Sequence, residues 1–342
     1  MNDSHGIGDR LRDLRKRRGL RYASACSAAA VLVALAVPGV SRGAVPAATI
    51  PPGTVGGAMA FDAANGTVVL LRHSTSWRSG TWIWNGSAWA QQHPKTSPPG
   101  REDESMAYDA ATHTVVLFGG HNQETVPLND TWTWNGSTWT RQHPQASPSA
   151  RYAASMAYDA ATHTTVLFGG SVRSHSVNTT WTWNGSDWTQ QHPATSPHSR
   201  EAASLAYDAA THAVVLFGGQ SDPGFVALGD TWTWNGSDWT QQHPAASPSA
   251  RVAASMAYDT ASGDTVLFGG HSASQLLNDT WTWDGSSWAQ QHPAASPPAR
   301  ELASMAYDGA TKSVVLFSGL GSVLLGDMWT WDGSDWTQLP AG

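Results

Sequence analysis

The sequence has almost no cysteine and little charge. Of its 342 residues one is cysteine, Cys26, and 13% are charged. A single cysteine so near the N-terminus leaves the rest of the chain without a disulfide framework or a cysteine metal ligand. Beyond residue 47 the chain carries 11 basic and 23 acidic residues. Because this acidic excess repels phosphate backbones, we do not expect a nucleic acid partner.

Long apolar runs are also scarce, and the one candidate lies in residues 1–47. Residues 10–21 are basic, and "AAAVLVALAV" follows at 28–37. This order is typical of a secretory signal. A retained anchor is the alternative, because residues 22–40 are just long and apolar enough to span a bilayer. Either way we expect residues 48–342 outside the cell, secreted or at its surface, with membrane contact only through the uncleaved segment.

Tryptophan, in contrast, is abundant and periodic. The chain has 19 tryptophans, and "TWTWNGSDWTQQHPA" at 180–194 returns unchanged at 231–245. Looser copies bring the set to six, whose first tryptophans are Trp82, Trp132, Trp181, Trp232, Trp281 and Trp329. Their spacing of 48 to 51 residues indicates one supersecondary unit copied six times in a single closed array.

Each copy reads as four short strands. In the second copy these are "SMAYD" (105–109), "TVVLFGG" (114–120), "DTWTW" (130–134) and "TWTRQ" (138–142). Strand residues with turn punctuation and no helical period indicate an antiparallel sheet. Asn135-Gly136 predicts a two-residue type I′ hairpin, with Trp132 opposite Trp139 and all three tryptophans on one face. We interpret that face as packing between neighbouring sheets; a sugar-stacking platform is the alternative.

Taken together, Arg151, "SMAYD", "TVLFGG", "NTTWTWN" and Trp188 resemble a kelch repeat. The resemblance covers residues from about 50 to 342 and implies an all-β, six-bladed β-propeller of four-stranded blades, similar to the central domain of galactose oxidase. The blades are predicted at approximately 54–94, 101–144, 151–193, 200–244, 251–293 and 300–340. Blade one departs from the pattern, with Leu71-Arg72 at the glycine doublet and Thr54 at the arginine position.

Binding groups are expected on the loops between the second and third strands, which share one rim of a meander. These loops differ between copies, whereas the opposite rim is nearly uniform, and binding residues concentrate on variable loops of a rigid scaffold. The loops are predicted at 72–80, 121–130, 171–180, 220–230, 271–279 and 320–327. Their distinctive side chains are Trp77, Arg78, His121, Arg173, His175, Phe225 and His271. Simple drift in loop sequence is the alternative.

Five arginines recur at the entry to the first strand, on the same rim. They are Arg101, Arg151, Arg200, Arg251 and Arg300. One interpretation is a ring around the channel mouth that binds an anionic sugar or an acidic peptide. The other is that each arginine joins its strand to a neighbouring carboxylate, such as Asp130, Asp230 or Asp279, or to loop carbonyls. Repetition favours the second, because a ligand seldom needs five equal contacts.

Catalysis requires unlike groups that converge on one point, and most polar residues here are copied around the ring. The cysteine-linked tyrosine cofactor of galactose oxidase has no support, since the predicted propeller lacks cysteine, and we expect no cofactor. The histidines of the repeated "QHP" cannot converge on one ion from separate blades, so we expect no metal site.

The sequence therefore predicts an exported, monomeric, non-catalytic scaffold that binds a glycan or a protein. The alternative is a sugar-modifying enzyme resembling the six-bladed N-acetylneuraminate epimerases, which is an analogy of fold. A cluster of unlike polar groups at the channel mouth would favour the enzyme.

Overall fold

The computed structural model describes residues 51, 57–74, 76–222 and 224–340. These residues form six four-stranded antiparallel sheets, each ordered first-second-third-fourth along the chain. Two short two-stranded sheets, Ser171–Val172 with His175–Ser176 and Gln220–Ser221 with Val226–Ala227, lie between the second and third strands of blades three and four. The predicted all-β, six-bladed propeller is thereby confirmed. The predicted signal or anchor, residues 1–47, and Thr54 lie outside the described residues, in which no helix is long and apolar enough to cross a membrane.

The blades follow one another in chain order. Blade one consists of Ala58–Asp62, Thr67–His73, Ser79–Trp84 and Trp89–Gln92. Blade two consists of Ser105–Asp109, Thr114–Phe118, Thr131–Trp134 and Trp139–Gln142, and blade three of Ser155–Asp159, Thr164–Phe168, Thr180–Trp183 and Trp188–Gln191. Blade four consists of Ser204–Asp208, Ala213–Phe217, Thr231–Trp234 and Trp239–Gln242, and blade five of Ser255–Asp259, Asp264–Phe268, Thr280–Trp283 and Trp288–Gln291. Blade six consists of Ser304–Asp308, Ser313–Phe317, Met328–Trp331 and Trp336–Leu339.

The first strands form the innermost layer and close the ring. Each first strand contacts the first strands of both neighbouring blades, and Ala58–Asp62 contacts Ser304–Asp308 across the seam. Every sheet is built from one continuous segment, so closure depends on contacts between blade faces. The first strands enclose a central cavity of about 180 Å³. Its apolar lining includes Met59, Met106, Met156, Leu205, Met256 and Met305.

The tryptophans pack between neighbouring blades, as the sequence predicted. Between blades one and two, Trp134 and Trp139 form one cluster with Val69 and Leu71 of blade one. Both indole rings are essentially buried, at 0% and 1% exposure. Because each indole removes on the order of 200 Å² from water, these clusters supply most of the cohesion between blades.

The hairpin between the third and fourth strands differs from the prediction. Trp134 pairs with Trp139, so the loop has four residues and Trp132 does not face Trp139. Gly136 has a φ of 91°, whereas the φ of Asn135 is not positive, which excludes the type I′ turn. The Asn135 side-chain oxygen instead accepts the backbone N–H groups of Ser137 and Thr138. The tryptophans still share one face, because the third strand alternates as expected.

Most blade interfaces also share a buried hydrogen bond. The indole Nε1 of the fourth-strand tryptophan donates to a threonine of the preceding blade at 2.8–2.9 Å. The pairs are Trp139–Thr81, Trp188–Thr131, Trp239–Thr180, Trp288–Thr231 and Trp336–Thr280. At the seam Met328 takes the threonine position, and Trp89 Nε1 has no partner among the described residues. The seam therefore lacks this hydrogen bond, although Ser304 Oγ still donates to the Gly57 carbonyl across it at 2.5 Å.

Replacing Thr231 with valine is expected to lower the free energy of unfolding by about 1–2 kcal/mol, because it leaves the buried indole N–H of Trp288 unpaired. The two side chains have nearly the same shape, so little packing is lost. Urea unfolding followed by tryptophan fluorescence measures the change. The matched control is Thr240→Val on the exposed fourth strand, expected within about 0.5 kcal/mol of the parent. Equal stability of Thr231→Val and the parent would contradict the prediction.

Candidate functional site

The loops between the second and third strands form one rim, here called the loop rim: residues 74–78, 119–130, 169–179, 218–230, 269–279 and 318–327. In blades two to five their bases are fixed by backbone hydrogen bonds to the next blade. Gly120 N–H donates to the Arg151 carbonyl, and Arg151 N–H donates to Leu128. A Cβ on Gly119 would lie 2.6 Å from the Arg151 carbonyl oxygen, so this approach requires glycine. The loops are therefore presented by a rigid base.

Blade one departs from this arrangement more than the sequence suggested. Leu70 pairs with Trp82 as Leu117 pairs with Trp132, so Arg72-His73, and not Leu71-Arg72, replace the glycine doublet. Without the glycines the second strand continues to His73, which pairs with Ser79. The predicted loop 72–80 is thus shortened to 74–78.

Most of the distinctive loop residues do lie on the loop rim. Arg78, Arg173 and His175 are exposed, while Trp77, Phe225 and His271 are half-buried. His121 differs, since it is only 3% exposed and pairs with Glu102 through the backbone. The rim loops of blades three and four also bind each other, because Ser176 N–H donates to Asp222 Oδ2 at 2.6 Å.

The loop tips show an alternation around the ring. In blades two to six, one loop residue donates its backbone N–H to the carbonyl of the second residue of the glycine doublet, as Leu128 donates to Gly120. The tip position lies two residues before this donor, and it is occupied by Val126, His175, Val226, Gln275 and Val323. The three valines are 49%, 56% and 58% exposed, and they are the large exposed hydrophobic residues of the described chain. They belong to blades two, four and six. An apolar side chain thus occurs at every second blade on the same rim.

The five repeated arginines are buried within their blades. Their exposures are 1–2%. In each, Nη1 donates to the carbonyl of the first doublet position at 2.9–3.0 Å. Arg101, Arg200, Arg251 and Arg300 also form bidentate pairs with Asp130, Asp230, Asp279 and Asp327. This geometry favours the joining role over the ligand-binding ring, because the guanidinium donors are engaged inside the blade.

Blade three lacks the carboxylate of this joint. Thr179 occupies the aspartate position and accepts from Arg151 Nη1 at 2.9 Å. In the other four blades the aspartate also accepts the indole N–H of the tryptophan two residues later, at 2.7 Å. In blade three Trp181 Nε1 has no partner within the described part of the chain. Burial lowers the pKa of Arg151 to about 10, in keeping with a guanidinium that has no acidic partner.

Replacing Thr179 with aspartate is therefore expected to raise the free energy of unfolding by about 1–3 kcal/mol, the usual contribution of hydrogen bonds to charged groups. The new carboxylate would meet both Arg151 and Trp181, as Asp279 meets Arg251 and Trp281. Urea unfolding provides the measurement. Thr179→Ala should shift stability in the opposite direction, since it removes the only side-chain acceptor of Arg151 beyond its own segment. A destabilised Thr179→Asp would contradict this account.

The loop rim also holds an asymmetric cluster of unlike polar groups at the junction of blades one and two. Glu102 accepts from His73 Nε2 at 2.9 Å and lies 3.7 Å from His121 Nε2. His121 Nε2 is 3.4 Å from Asp103 Oδ2. The ring of Trp77 stacks on His73 with centroids 4.3 Å apart. Burial opposes protonation of His73, but the bond to Glu102 and the neighbouring carboxylates outweigh it and raise the pKa.

Glu104 is the buried carboxyl of this cluster. Its side chain is 8% exposed, and neither carboxylate oxygen has a hydrogen-bond partner among the described residues. Burial raises the pKa of Glu104 to about 8, which the charges of Arg101 and His73 only partly offset. In the described residues no group of three or more His, Cys, Asp or Glu side chains could hold a metal ion.

The sequence carried a signal for this cluster that our prediction missed. The residues after the repeated arginine are Glu102-Asp103-Glu104 in blade two, but end in alanine in the next four blades: "RYAAS", "REAAS", "RVAAS" and "RELAS". These three residues lie in the connection between blades, outside the second-to-third-strand loops where binding residues were expected. His73 was missed for another reason, because the repeat alignment of blade one was displaced by one residue.

Comparison with known proteins agrees with the blade architecture. The profile of the KLHDC2/KLHL20/DRC7 Kelch-repeats domain matches residues 182–341, from the third strand of blade three to the end of blade six. A comparison with curated proteins finds no match.

Proposed function

The chain is a kelch-repeat β-propeller, and from this premise we propose that it is an exported, non-catalytic scaffold that binds a protein through its loop rim. The kelch propeller fold is a protein-interaction scaffold. Export is supported by the basic and apolar segments of residues 1–47. N-terminal sequencing of protein recovered from the culture medium tests export, and retention of the whole chain inside the cell would oppose it.

The alternation of exposed valines at the loop tips is the observation that supports a protein partner. Val126, Val226 and Val323 are held at equivalent tip positions on a fixed base. Exposed aliphatic side chains in a regular arrangement suit the apolar contacts of a protein surface. They offer a glycan neither hydrogen bonds nor an aromatic face. Apart from Trp77 on the loop rim, the propeller tryptophans belong to the six repeated sets that pack between blades, which does not favour stacking on a sugar.

The expectation of an anionic ligand rested on the arginine ring, whose members are buried and paired. The partly exposed carboxylates of Glu102 and Asp103 instead favour a partner with basic side chains. The polar cluster of blades one and two is of the unlike kind that a sugar-modifying enzyme requires. However, its carboxyls would repel N-acetylneuraminate, which is itself an anion, so we rank binding above catalysis.

A phage-displayed random peptide library selected on the immobilised full chain tests the proposal. We expect enriched peptides that bind the parent and lose at least about tenfold in affinity for Val126→Ser/Val226→Ser/Val323→Ser, because each valine contributes apolar burial. Exposed substitutions of this kind leave folding nearly unchanged, which thermal unfolding verifies.

The matched control is on the opposite rim. His113, His163 and His212 are exposed in the turns between first and second strands, each with positive φ. Replacing these three with asparagine, which tolerates that conformation, should leave peptide binding within about twofold. Peptides that ignore the valines but depend on these histidines would move the binding surface to the other rim. Enrichment on a glycan array with no selected peptide would replace the protein partner with a glycan.

A further inference from the structure

The junction of blades one and two differs from the other blade junctions in one packed pair. Elsewhere a phenylalanine at the end of the second strand packs against a small residue of the next blade, as Phe118 packs with Ala154. Phe168 with Ala203 and Phe268 with Ala303 repeat this pairing. In blade one the phenylalanine position holds Leu71, and the alanine position of blade two holds Glu104. A smaller aliphatic side chain thus faces a larger, ionisable one.

The exchange places a carboxyl where the fold elsewhere has a methyl group. Glu104 is more than nine-tenths buried, and both of its oxygens are unpartnered within the described residues. A buried carboxyl whose oxygens lack hydrogen-bond partners is unfavourable in either protonation state, so packing alone does not explain its presence. His73 lies within electrostatic reach of both Glu104 and Glu102.

Exposure decreases along this run of carboxyls toward the interior. The Glu102 side chain is 33% exposed and that of Asp103 is 17% exposed, whereas Glu104 is buried. Trp77, half-buried on the rim, covers His73 with its ring. The junction therefore combines two partly exposed carboxylates at the rim, an aromatic ring and a buried carboxyl.

We propose that this junction is a binding site for a cationic side chain, a lysine or an arginine of the protein partner, with Glu104 as its terminal acceptor. Glu102 and Asp103 attract the cation at the entrance, and Trp77 offers a ring face within reach of its aliphatic stem. The ammonium or guanidinium group supplies the donors that the Glu104 oxygens lack. This inference rests on the proposed function in that it names the chemistry that the partner presents to the loop rim.

Isothermal titration of the full chain with Nα-acetyl-arginine amide and Nα-acetyl-lysine amide tests the site directly. We expect saturable one-to-one binding of at least one probe. The uncharged Nα-acetyl-norleucine amide should bind at least about tenfold more weakly, because a buried charge pair depends strongly on both partners. Absence of binding by both cationic probes, or equal binding by the norleucine compound, would overturn the proposal.

Variants locate the site. Leu71→Phe/Glu104→Ala recreates the pair found at the other junctions, so the fold already accommodates it, and it should weaken the cationic probe at least about tenfold. Glu104→Gln, nearly the same size, is the second variant if the double change fails to fold, with the same expected loss. The control Glu124→Ala removes an exposed charge from the neighbouring loop and should stay within about twofold. Unchanged probe affinity in Glu104→Gln would refute the role of Glu104.

The two proposals fail separately. The amide probes are too small to reach the loop-tip valines, so the triple valine variant should bind them as the parent does. If the triple valine variant loses peptide binding but still binds the cationic amide probes, both proposals are supported. Probe binding with no valine-dependent peptide would leave the cation site standing and remove the protein-binding rim.

Discussion

Replacing Asp230 with alanine is expected to lower the free energy of unfolding by about 3–5 kcal/mol, the usual cost of removing one partner from a buried ion pair. Arg200 is fully buried, and Asp230 accepts two of its donors at 2.6 and 2.8 Å. The same carboxylate accepts the Trp232 indole N–H. The substitution therefore leaves a buried cation and a buried donor without their acceptor. Urea unfolding of the parent and the variant measures the loss.

Blade three supplies the matched comparison. Thr179→Ala removes the equivalent acceptor where no charge pair exists, and its expected loss is about 1 kcal/mol. A similar loss in both variants would show that the ion pairs add little to the joint.

Acid unfolding gives an independent check on Asp230. Burial opposes its ionisation, but the hydrogen bond and charge of Arg200 outweigh it, so its pKa is lowered. A carboxyl whose pKa is lower in the folded state stabilises above its ordinary pKa of about 3.9, and the contribution is lost as pH falls. Stability of Asp230→Ala should hence fall less steeply than that of the parent below pH 4.

Most features repeated in every copy were predictable from the sequence. Tryptophans at fixed positions on one face specify the blade, its neighbours and the number of blades, because each face must be buried against the next. The joining role of Arg101, Arg200 and Arg251 also follows from repetition, and the structure pairs them with the three aspartates that the sequence suggested.

The hairpin between the third and fourth strands, although repeated in every blade, was not predictable in this way, and neither were the features that occur once. The pairing of Trp134 with Trp139 depends on the Asn135 side chain accepting loop N–H groups, which competes with the turn that Asn-Gly usually adopts. The Leu71–Glu104 pair depends on two substitutions 33 residues apart that meet only after neighbouring blades pack. Repetition thus reveals the scaffold, whereas departures from it mark the candidate site.

Deleting blade six, by ending the chain at residue 297, is expected to abolish cooperative unfolding. The deletion uncovers the blade-five cluster of Ala257, Val266 and Phe268, and the blade-one cluster that includes Trp84 and Trp89. No strand crosses from one end of the chain to the other to hold the remaining blades in a ring, within the part that the structure describes. Thermal unfolding by near-ultraviolet circular dichroism should show a broad transition, and a dye for apolar surface should bind before heating.

A substitution at the seam shows whether the effect of the deletion comes from opening the ring or from shortening the chain. Blade six and blade one make apolar contacts, among them Trp89 with Phe317, whose ring centroids are 5.4 Å apart. The seam lacks the tryptophan–threonine hydrogen bond of the other interfaces. Phe317→Ala should therefore lower the free energy of unfolding of the intact ring by about 3–5 kcal/mol, because it leaves a cavity. The variant should still unfold in a single sharp transition, because all six blades remain. The truncated chain should lose the sharp transition altogether. If the five-blade fragment melts as sharply and as high as the parent, each blade is stable on its own faces and ring closure contributes nothing to the fold.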